Sequence, residues 1–252
     1  MSESLDRGIE VPELTADEIL SRVLHRDGLM LVIDKPAGLP VHRGPKGGAN
    51  LESSFDALRF GLPRPPVLAH RLDRDTSGCL VLGRHRKATA SLGLLFKHGK
   101  IAKTYWAVVE GGPAEDEGTV DMPLGRLNAE RGWWQKPDPE GQSAVTNWKV
   151  LGRGNGLTWL ALEPVTGRTH QLRVHSAAMG WPIVGDNIYG TQASLRRLRD
   201  EKYIPRFGEP RLHLHSREIV IPISRNKDPV RVTAPAPAHL QERLRACGWK
   251  GE

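Results

Sequence analysis

The sequence contains only two cysteines, Cys79 and Cys247, and it has no long apolar run. Two cysteines are too few for a disulfide framework or a four-cysteine zinc site. A membrane-spanning helix needs about 20 consecutive apolar residues, and no segment approaches that length. The stretch from Met1 to Glu10 is polar and acidic, unlike a secretory signal. These absences favour a reducing setting, and we expect a cytoplasmic protein.

The charge of the chain is basic. Its 252 residues carry a formal net charge of +7 and give a pI of about 9.6. Many soluble proteins have a basic surface, but such a surface also suits a polyanionic partner, of which nucleic acid is the leading candidate. Charge alone does not separate RNA from DNA, or either from an acidic protein.

No internal repeat, low-complexity tract or linker divides the chain. We predict a flexible tail over residues 1–14 and a single domain over residues 15–252. Strand-like segments outnumber helical ones and do not alternate with them regularly, which predicts an α+β fold with a mixed, mostly antiparallel central sheet and flanking helices. Predicted helices cover residues 15–24, 51–60, 86–97, 166–179 and 238–246, and predicted strands cover residues 29–33, 79–82, 103–109, 145–151, 157–162, 212–214 and 218–223.

The segment from His70 to Gly78 contains two aspartates, two arginines and a histidine between two apolar runs. The run that follows, Cys79 to Leu82, predicts a buried strand. The charged residues are therefore expected at the mouth of a sheet. A carboxylate there is partly desolvated unless a cation such as Arg71 or Arg74 pairs with it. Perturbed groups of this kind cluster at functional sites.

Asp73 and Asp75 lie two residues apart, so they share a face in an extended segment. A Mg²⁺ site would need further oxygen ligands, which the neighbouring sequence does not offer. An aspartate-based phosphatase would need its threonine one position later than Thr76. Two interpretations of Asp73 remain open: a nucleophilic carboxylate held by arginine, which forms a covalent intermediate, or part of an ion-paired turn. The turn is the favoured interpretation of Asp75.

The histidines do not form a recognisable metal motif. His170 and His175 are five residues apart, which is off the i, i+4 spacing that places two zinc ligands on one helical face. His213 and His215 alternate on a predicted strand without a companion acidic motif. We therefore predict no metal site.

Several separated motifs resemble those of RluA-type pseudouridine synthases, RNA enzymes that isomerise uridine in place. The segment His-Arg-Leu-Asp-Arg-Asp-Thr-Ser-Gly resembles the signature of the family, and the order of the motifs also agrees. The resemblance implies the fold of that family, with an active-site cleft in the α+β domain. The matching motifs lie at residues 35–42 (Lys-Pro-x-Gly-x-x-Val-His), 70–78, 103–109 (Lys-x-Tyr-x-Ala-x-Val) and 167–175 (Gly-Arg-Thr-His-Gln-x-Arg-Val-His), with a weaker match at 184–190.

The resemblance also implies roles for individual residues. Asp73 would be catalytic, and Arg173 would pair with it to keep it ionised and oriented. Tyr105 would stack on the target base and assist proton transfer. The target uridine would flip out of its helix, with a side chain filling or guarding the vacated space. The residues that the resemblance places near RNA or the flipped base are His70, Arg71, Arg168 and His170, and we add Lys103 as a candidate RNA contact.

As a member of that family, the protein would be an isomerase acting on structured RNA, either ribosomal or transfer RNA. It would need no redox cofactor, nucleotide or metal, and we expect a monomer. The S4-type RNA-binding domain of many relatives has no counterpart in the sequence, so target choice would fall to the surface of the catalytic domain. The alternative is a basic RNA-binding module without activity, whose arginines grip phosphates. Asp73 argues against that alternative, because a carboxylate weakens phosphate binding.

Overall fold

The computed structural model describes residues 12–43, 48–127, 134–191, 211–223 and 228–252. Within these ranges, ten strands form one sheet and two short strands form a separate hairpin. The strands are β1 (Val23–Arg26), β2 (Met30–Lys35), β3 (Val67–Leu68), β4 (Ser77–Gly83), β5 (Ala102–Glu110), β6 (Glu117–Asp121), β7 (Leu124–Arg126), β8 (Gln135–Pro137), β9 (Val145–Gly154), β10 (Leu157–Pro164), β11 (Leu214–Ile221) and β12 (Val230–Thr233). The helices are α1 (Ala16–Ser21), α2 (Arg86–Lys97), α3 (Gln171–Ala178) and α4 (Ala238–Ala246), with a 3₁₀-helix at Leu51–Leu58.

The large sheet has the strand order β1-β2-β4-β11-β5-β10-β9-β6, with β3 added to β4 and β12 added to β11. Among the described strands, β4 and β11 form the one parallel pair, and the other pairs are antiparallel. Helix α2 packs on β4, and α4 packs on β5 and β10. The predicted α+β class with a mixed, mostly antiparallel sheet is confirmed.

Strand β4 lies at the centre of the core and is buried along its whole length. Its side chains alternate between two hydrophobic clusters, with Leu80 and Leu82 in one and Cys79 and Val81 in the other. Coverage of both faces explains why the strand is a continuous apolar run in the sequence. At its start, Gly78 has φ +102°, and a Cβ there would lie 2.3 Å from the Ser216 carbonyl oxygen. The close approach of β4 to β11 therefore requires glycine.

The structure differs from the sequence prediction near the N-terminus. The helix predicted through Leu24 ends at Ser21, because Val23 begins β1 and pairs with β2. This long-range pairing overrides the local helix preference, so the prediction was wrong for the last residues of the helix. Leu14, which the sequence assigned to the tail, is buried in the core, while residues 1–11 lie outside the described ranges.

Two other predicted elements change their extent. The helix predicted over residues 166–179 begins only at Gln171. The segments predicted separately at 212–214 and 218–223 belong mostly to one strand, β11, because the polar residues His215, Ser216 and Glu218 also pair with β5, with a register shift between Ser216 and Glu218. The short strands β6, β7, β8 and β12 were not predicted, since they contain few buried apolar residues.

Two buried histidines near β11 predict a pH dependence of stability. Nδ1 of His213 and Nε2 of His215 lie 2.7 Å and 3.3 Å from backbone carbonyl oxygens. Burial lowers the pKa of each histidine to about 4. Between pH 6.5 and pH 4 the unfolded chain therefore binds more protons than the folded one. We expect the free energy of unfolding, measured with urea, to fall as the pH drops through this window, by about 1.4 kcal/mol per pH unit for each histidine.

A matched pair of variants isolates the histidine contribution. His215→Asn should reduce the slope of unfolding free energy against pH below pH 6.5. The corresponding change at the exposed His98, His98→Asn, should leave the slope as it is in the wild type. Equal slopes in the His215→Asn variant and the wild type would contradict the prediction.

Candidate active site

A cleft of about 830 Å³ opens between the loop after β3, the end of α2, strand β5 and the loop that leads into α3. These elements are far apart in the sequence but meet beside β5 and the first residue of β11. The structure brings all eight residues that the sequence singled out to the lining of this one cleft. They are His70, Arg71, Asp73, Lys103, Tyr105, Arg168, His170 and Arg173.

Asp73 lies in a tight turn that is supported from below by a buried lysine. The backbone N–H of Thr76 donates to the Asp73 carbonyl at 3.2 Å. Beneath the turn, Nζ of Lys35 donates to the carbonyl oxygens of Pro36, Arg74 and Thr76 at 2.8, 2.8 and 2.9 Å. Lys35 is fully buried, and burial lowers its pKa to about 7. The loop that begins at Lys35, which contains the first of the matching motifs, thus supports the aspartate turn.

Two cationic or potentially cationic side chains face the Asp73 carboxylate. Nη1 of Arg173 lies 3.9 Å from Oδ2, and Nε2 of His170 lies 3.8 Å from the same oxygen. The Arg173 side chain is 3% exposed, whereas that of Asp73 is 31% exposed. The Asp73 carboxylate is therefore accessible from the cleft, while the side chain of Arg173 that faces it is buried.

The hydrogen bonds of Arg173 go to a residue that sequence reasoning did not single out. Nε and Nη2 of Arg173 donate to Oδ2 and Oδ1 of Asp186 at 2.7 and 2.8 Å. The predicted contact between Arg173 and Asp73 is present, but the bidentate ion pair is with Asp186. Burial opposes ionisation of Asp186, but the Arg173 guanidinium overcomes it and holds the pKa of this carboxyl below its usual value. The weaker motif at residues 184–190 was the available signal.

His170 has an unusual backbone conformation at the start of α3. Its φ is +53°, in the left-handed region that non-glycine residues seldom adopt. This turn separates the preceding loop from the helix and explains why α3 begins at Gln171 instead of at Thr166. Nδ1 of His170 lies 2.8 Å from the Tyr189 hydroxyl, so a contact from outside the helix helps to hold this strained residue.

Tyr105 and Lys103 project from β5 on the same side as the cleft. Tyr105 is 9% exposed, and burial raises the pKa of its phenol, so the hydroxyl keeps its proton at neutral pH. Lys103 is half-buried, and burial lowers its pKa. The neutral hydroxyl of Tyr105 and the amino group of Lys103 therefore line the same cleft as Asp73.

His70 has a structural contact in addition to lining the cleft. Its Nε2 accepts the backbone N–H of Val81 at 3.0 Å, and its ring stacks on Phe96 with 4.2 Å between centroids. Burial lowers the pKa of His70 to about 3, so the ring is neutral. Arg71 and Arg168 are exposed at the rim, and Nε of Arg168 donates to the Ser143 carbonyl at 3.0 Å.

Metal sites and membrane spans are both missing from the part of the chain that the structure describes. The described ranges contain no group of three or more His, Cys, Asp or Glu residues that could hold a metal ion. None of the described helices is both long and apolar enough to cross a membrane.

Comparison with known proteins gives a consistent set of relatives. The family model described as RNA pseudouridylate synthase matches residues 29–178, a range that includes all eight predicted site residues. An uncharacterized RNA pseudouridine synthase of Zymomonas mobilis is 42% identical over 221 residues, which cover 87% of this chain and 95% of the relative. Ribosomal large subunit pseudouridine synthase C of Vibrio cholerae is 35% identical over 227 residues, covering 88% of this chain and 68% of the relative.

A solved structure of an RNA pseudouridylate synthase also resembles this protein. Human RNA pseudouridylate synthase domain containing 4 aligns with a TM-score of 0.73 and 28% sequence identity, over 92% of this chain and 94% of the human chain. The family match covers more than half of the chain, and the structural match extends over nearly all of it. The chain therefore belongs to the RluA-type RNA pseudouridylate synthase family, whose members are isomerases.

Proposed function

We propose that this protein converts specific uridines to pseudouridine in ribosomal or transfer RNA, with Asp73 as the catalytic residue. One observation carries the proposal. Of the described residues that line the cleft, Asp73 is the single carboxylate, and every other charged or titratable group, Tyr105 apart, is a lysine, arginine or histidine. A single carboxylate in an otherwise basic cleft fits an enzyme that first attracts RNA and then acts on one nucleotide.

A surface that only bound phosphates would gain nothing from Asp73, because its negative charge repels the RNA backbone. The partial exposure of its carboxylate and the buried Arg173 behind it also favour a chemical role. The cleft has the size expected of a small-molecule site, so one flipped nucleotide fits within it. The non-catalytic binding module is therefore the second candidate.

The proposed reaction breaks the N1–C1′ bond of uridine, turns the uracil, and joins C5 to C1′. C5 loses a proton and N1 gains one, so nothing is oxidised or hydrolysed. Asp73 acts on the nucleotide, whether by attacking the sugar or the ring or by removing a sugar proton. Arg173 orients Asp73 and supplies its counter-charge, and Tyr105 covers the base and helps to move the C5 proton. Contacts to RNA are assigned to His70, Arg71, Lys103, Arg168 and His170.

The relatives suggest an order in which to test RNA classes. The Vibrio cholerae relative is named for the large ribosomal subunit, which supports ribosomal RNA as the first substrate to test. Transfer RNA is the second. A cytoplasmic location and a monomeric state stay predictions.

Tritium release from transcripts containing [5-³H]uridine tests the proposed reaction. Large-subunit ribosomal RNA fragments and transfer RNAs are compared with and without a chelator. We expect the wild-type protein to release tritium from one of the two classes, up to the equivalent of one or a few uridines, with no effect of the chelator. Salt-sensitive binding without release from any RNA would favour the binding module, and loss of release with chelator would contradict a metal-free reaction.

A further inference from the structure

The loop between Val184 and Gly190 lies directly behind the candidate catalytic carboxylate. Its Asp186 is 1% exposed, and four donors surround the two carboxylate oxygens. Oδ2 accepts from Nε of Arg173, while Oδ1 accepts from Nη2 of Arg173 and from the backbone N–H groups of Ile188 and Tyr189 at 2.9 and 3.0 Å. With Nε and Nη2 occupied in this way, Nη1 is the nitrogen of Arg173 that is directed at Asp73.

The same loop also holds His170. The backbone N–H of Gln135 donates to the Tyr189 hydroxyl oxygen at 3.0 Å, so the hydroxyl proton is available for His170 Nδ1, 2.8 Å away. If Nδ1 accepts, Nε2 carries the proton of the neutral ring. That nitrogen faces Oδ2 of Asp73 at 3.8 Å. The backbone N–H of Gln135 therefore donates to Tyr189, the Tyr189 hydroxyl donates to Nδ1 of His170, and the Nε2–H of His170 faces the Asp73 carboxylate.

These two chains of contacts converge on one atom. We propose that Asp186 and Tyr189 are positioning residues: Asp186 aims Arg173, and Tyr189 aims His170, at the same oxygen of Asp73, Oδ2. The other oxygen, Oδ1, is then the one presented to the nucleotide. This inference rests on the proposed catalytic role of Asp73, and it adds two residues that do not themselves touch the substrate.

The distances explain why positioning matters in this site. Separations of 3.8 and 3.9 Å are longer than a direct hydrogen bond, so a small shift of Asp73 brings its Oδ2 into bonding contact with both donors. Such contacts commonly tighten only when substrate is bound. A misplacement of about 1 Å in a catalytic group can cost about 10²-fold in rate. Loosening either Arg173 or His170 should therefore reduce the rate of the chemical step more than RNA affinity.

Single-turnover tritium release at saturating enzyme, measured beside the RNA dissociation constant, tests the proposal. Tyr189→Phe removes one hydroxyl and should lower the rate about 10-fold, and Asp186→Asn should lower it about 100-fold. The dissociation constant should stay within about two-fold of the wild type in both. Asp27→Asn is the control, because Asp27 also accepts two backbone N–H groups and pairs with a histidine, but at the far end of β2. Its rate should match that of the wild type.

A double-variant comparison separates positioning from general stability. In an Arg173→Lys background, Asp186→Asn should lower the rate by less than about three-fold, because its effect passes through Arg173. A merely structural role would lower the rate by the same factor in both backgrounds, and this result would overturn the proposal for Asp186.

Nitrogen NMR of ¹⁵N-histidine-labelled protein needs no substrate and covers the case in which Asp186→Asn does not fold. With His170 assigned by loss of its signals in His170→Gln, we expect the Nε2–H tautomer in the wild type and a mixture in Tyr189→Phe. An Nδ1–H tautomer in the wild type, or wild-type rates in Tyr189→Phe and Asp186→Asn, would overturn the proposal. If Asp73→Asn kept full activity, the proposed catalytic role would fail instead, and the tautomer would still decide whether Tyr189 holds His170.

Discussion

Replacing Asp73 with asparagine is expected to lower tritium release from the RNA substrate by about 10⁴-fold, the scale on which removing a nucleophile acts. Asparagine preserves the shape of the side chain and its place in the turn, but it has no ionised oxygen to act on the nucleotide. RNA affinity should be unchanged or slightly higher, because the variant removes the single negative charge among the described lining residues. Release and filter binding are measured on the same transcript.

The same turn supplies a matched control. Asp75→Asn makes the same change two residues away, where the carboxylate lies 3.8 Å from Nε of Arg74 and does not line the cleft. This variant should release tritium at a rate within about three-fold of the wild type, since an exposed ion pair of this kind contributes little. Full activity in Asp73→Asn would remove Asp73 from the mechanism, and equal losses in both variants would indicate damage to the turn.

Replacing Arg173 with methionine is expected to lower the free energy of unfolding by about 3–5 kcal/mol, because it leaves the buried Asp186 carboxylate without its cation. The side chains of Arg173 and Asp186 are only 3% and 1% exposed, so water cannot take over from the lost partner. For a chain of this length such a loss corresponds to a fall of about 10 °C in the thermal midpoint. Thermal unfolding followed by circular dichroism measures it, and tritium release should fall in the same variant.

An exposed arginine–aspartate pair with a single hydrogen bond provides the comparison. Nη1 of Arg153 lies 2.8 Å from Oδ1 of Asp116, but these side chains are 42% and 83% exposed. Arg153→Met should therefore cost less than about 1 kcal/mol. Adding Asp186→Asn to the Arg173→Met variant should restore part of the lost stability, because it removes the stranded charge. Equal losses of unfolding free energy in Arg173→Met and Arg153→Met would show that an unpaired carboxylate at Asp186 does not destabilise the fold.

Local sequence patterns predicted two of the helices to the residue. The helices at 86–97 and 238–246 have the predicted bounds, because apolar residues at helical spacing and a glycine after the last turn specify them locally. The buried strand β4 (Ser77–Gly83) was predicted over residues 79–82, from its continuous apolar run. The end of α1 could not be predicted, because it depends on the pairing of β1 with β2.

The candidate site also contains some residues that the sequence predicted and others that it did not. The eight residues that motifs singled out do meet in one cleft. Lys35, Asp186 and Tyr189 were not among them, because what identifies them is the set of atoms they contact across the fold. A lysine after a buried strand and an aspartate in a weak motif are common in surface loops. Only the tertiary structure shows that one lies under the aspartate turn and the other behind Arg173.

The buried amine beneath the aspartate turn has a chemical consequence. Three donated hydrogen bonds use all three protons of the Lys35 ammonium, but burial lowers its pKa to about 7, so an uncharged and nucleophilic amine forms once one of these bonds is given up. The turn nevertheless shields it, so an acylating reagent can reach it only when this part of the chain opens. The rate at which Lys35 is acylated therefore reports how often the structure opens locally beneath Asp73. RNA bound on the turn should lower that acylation rate.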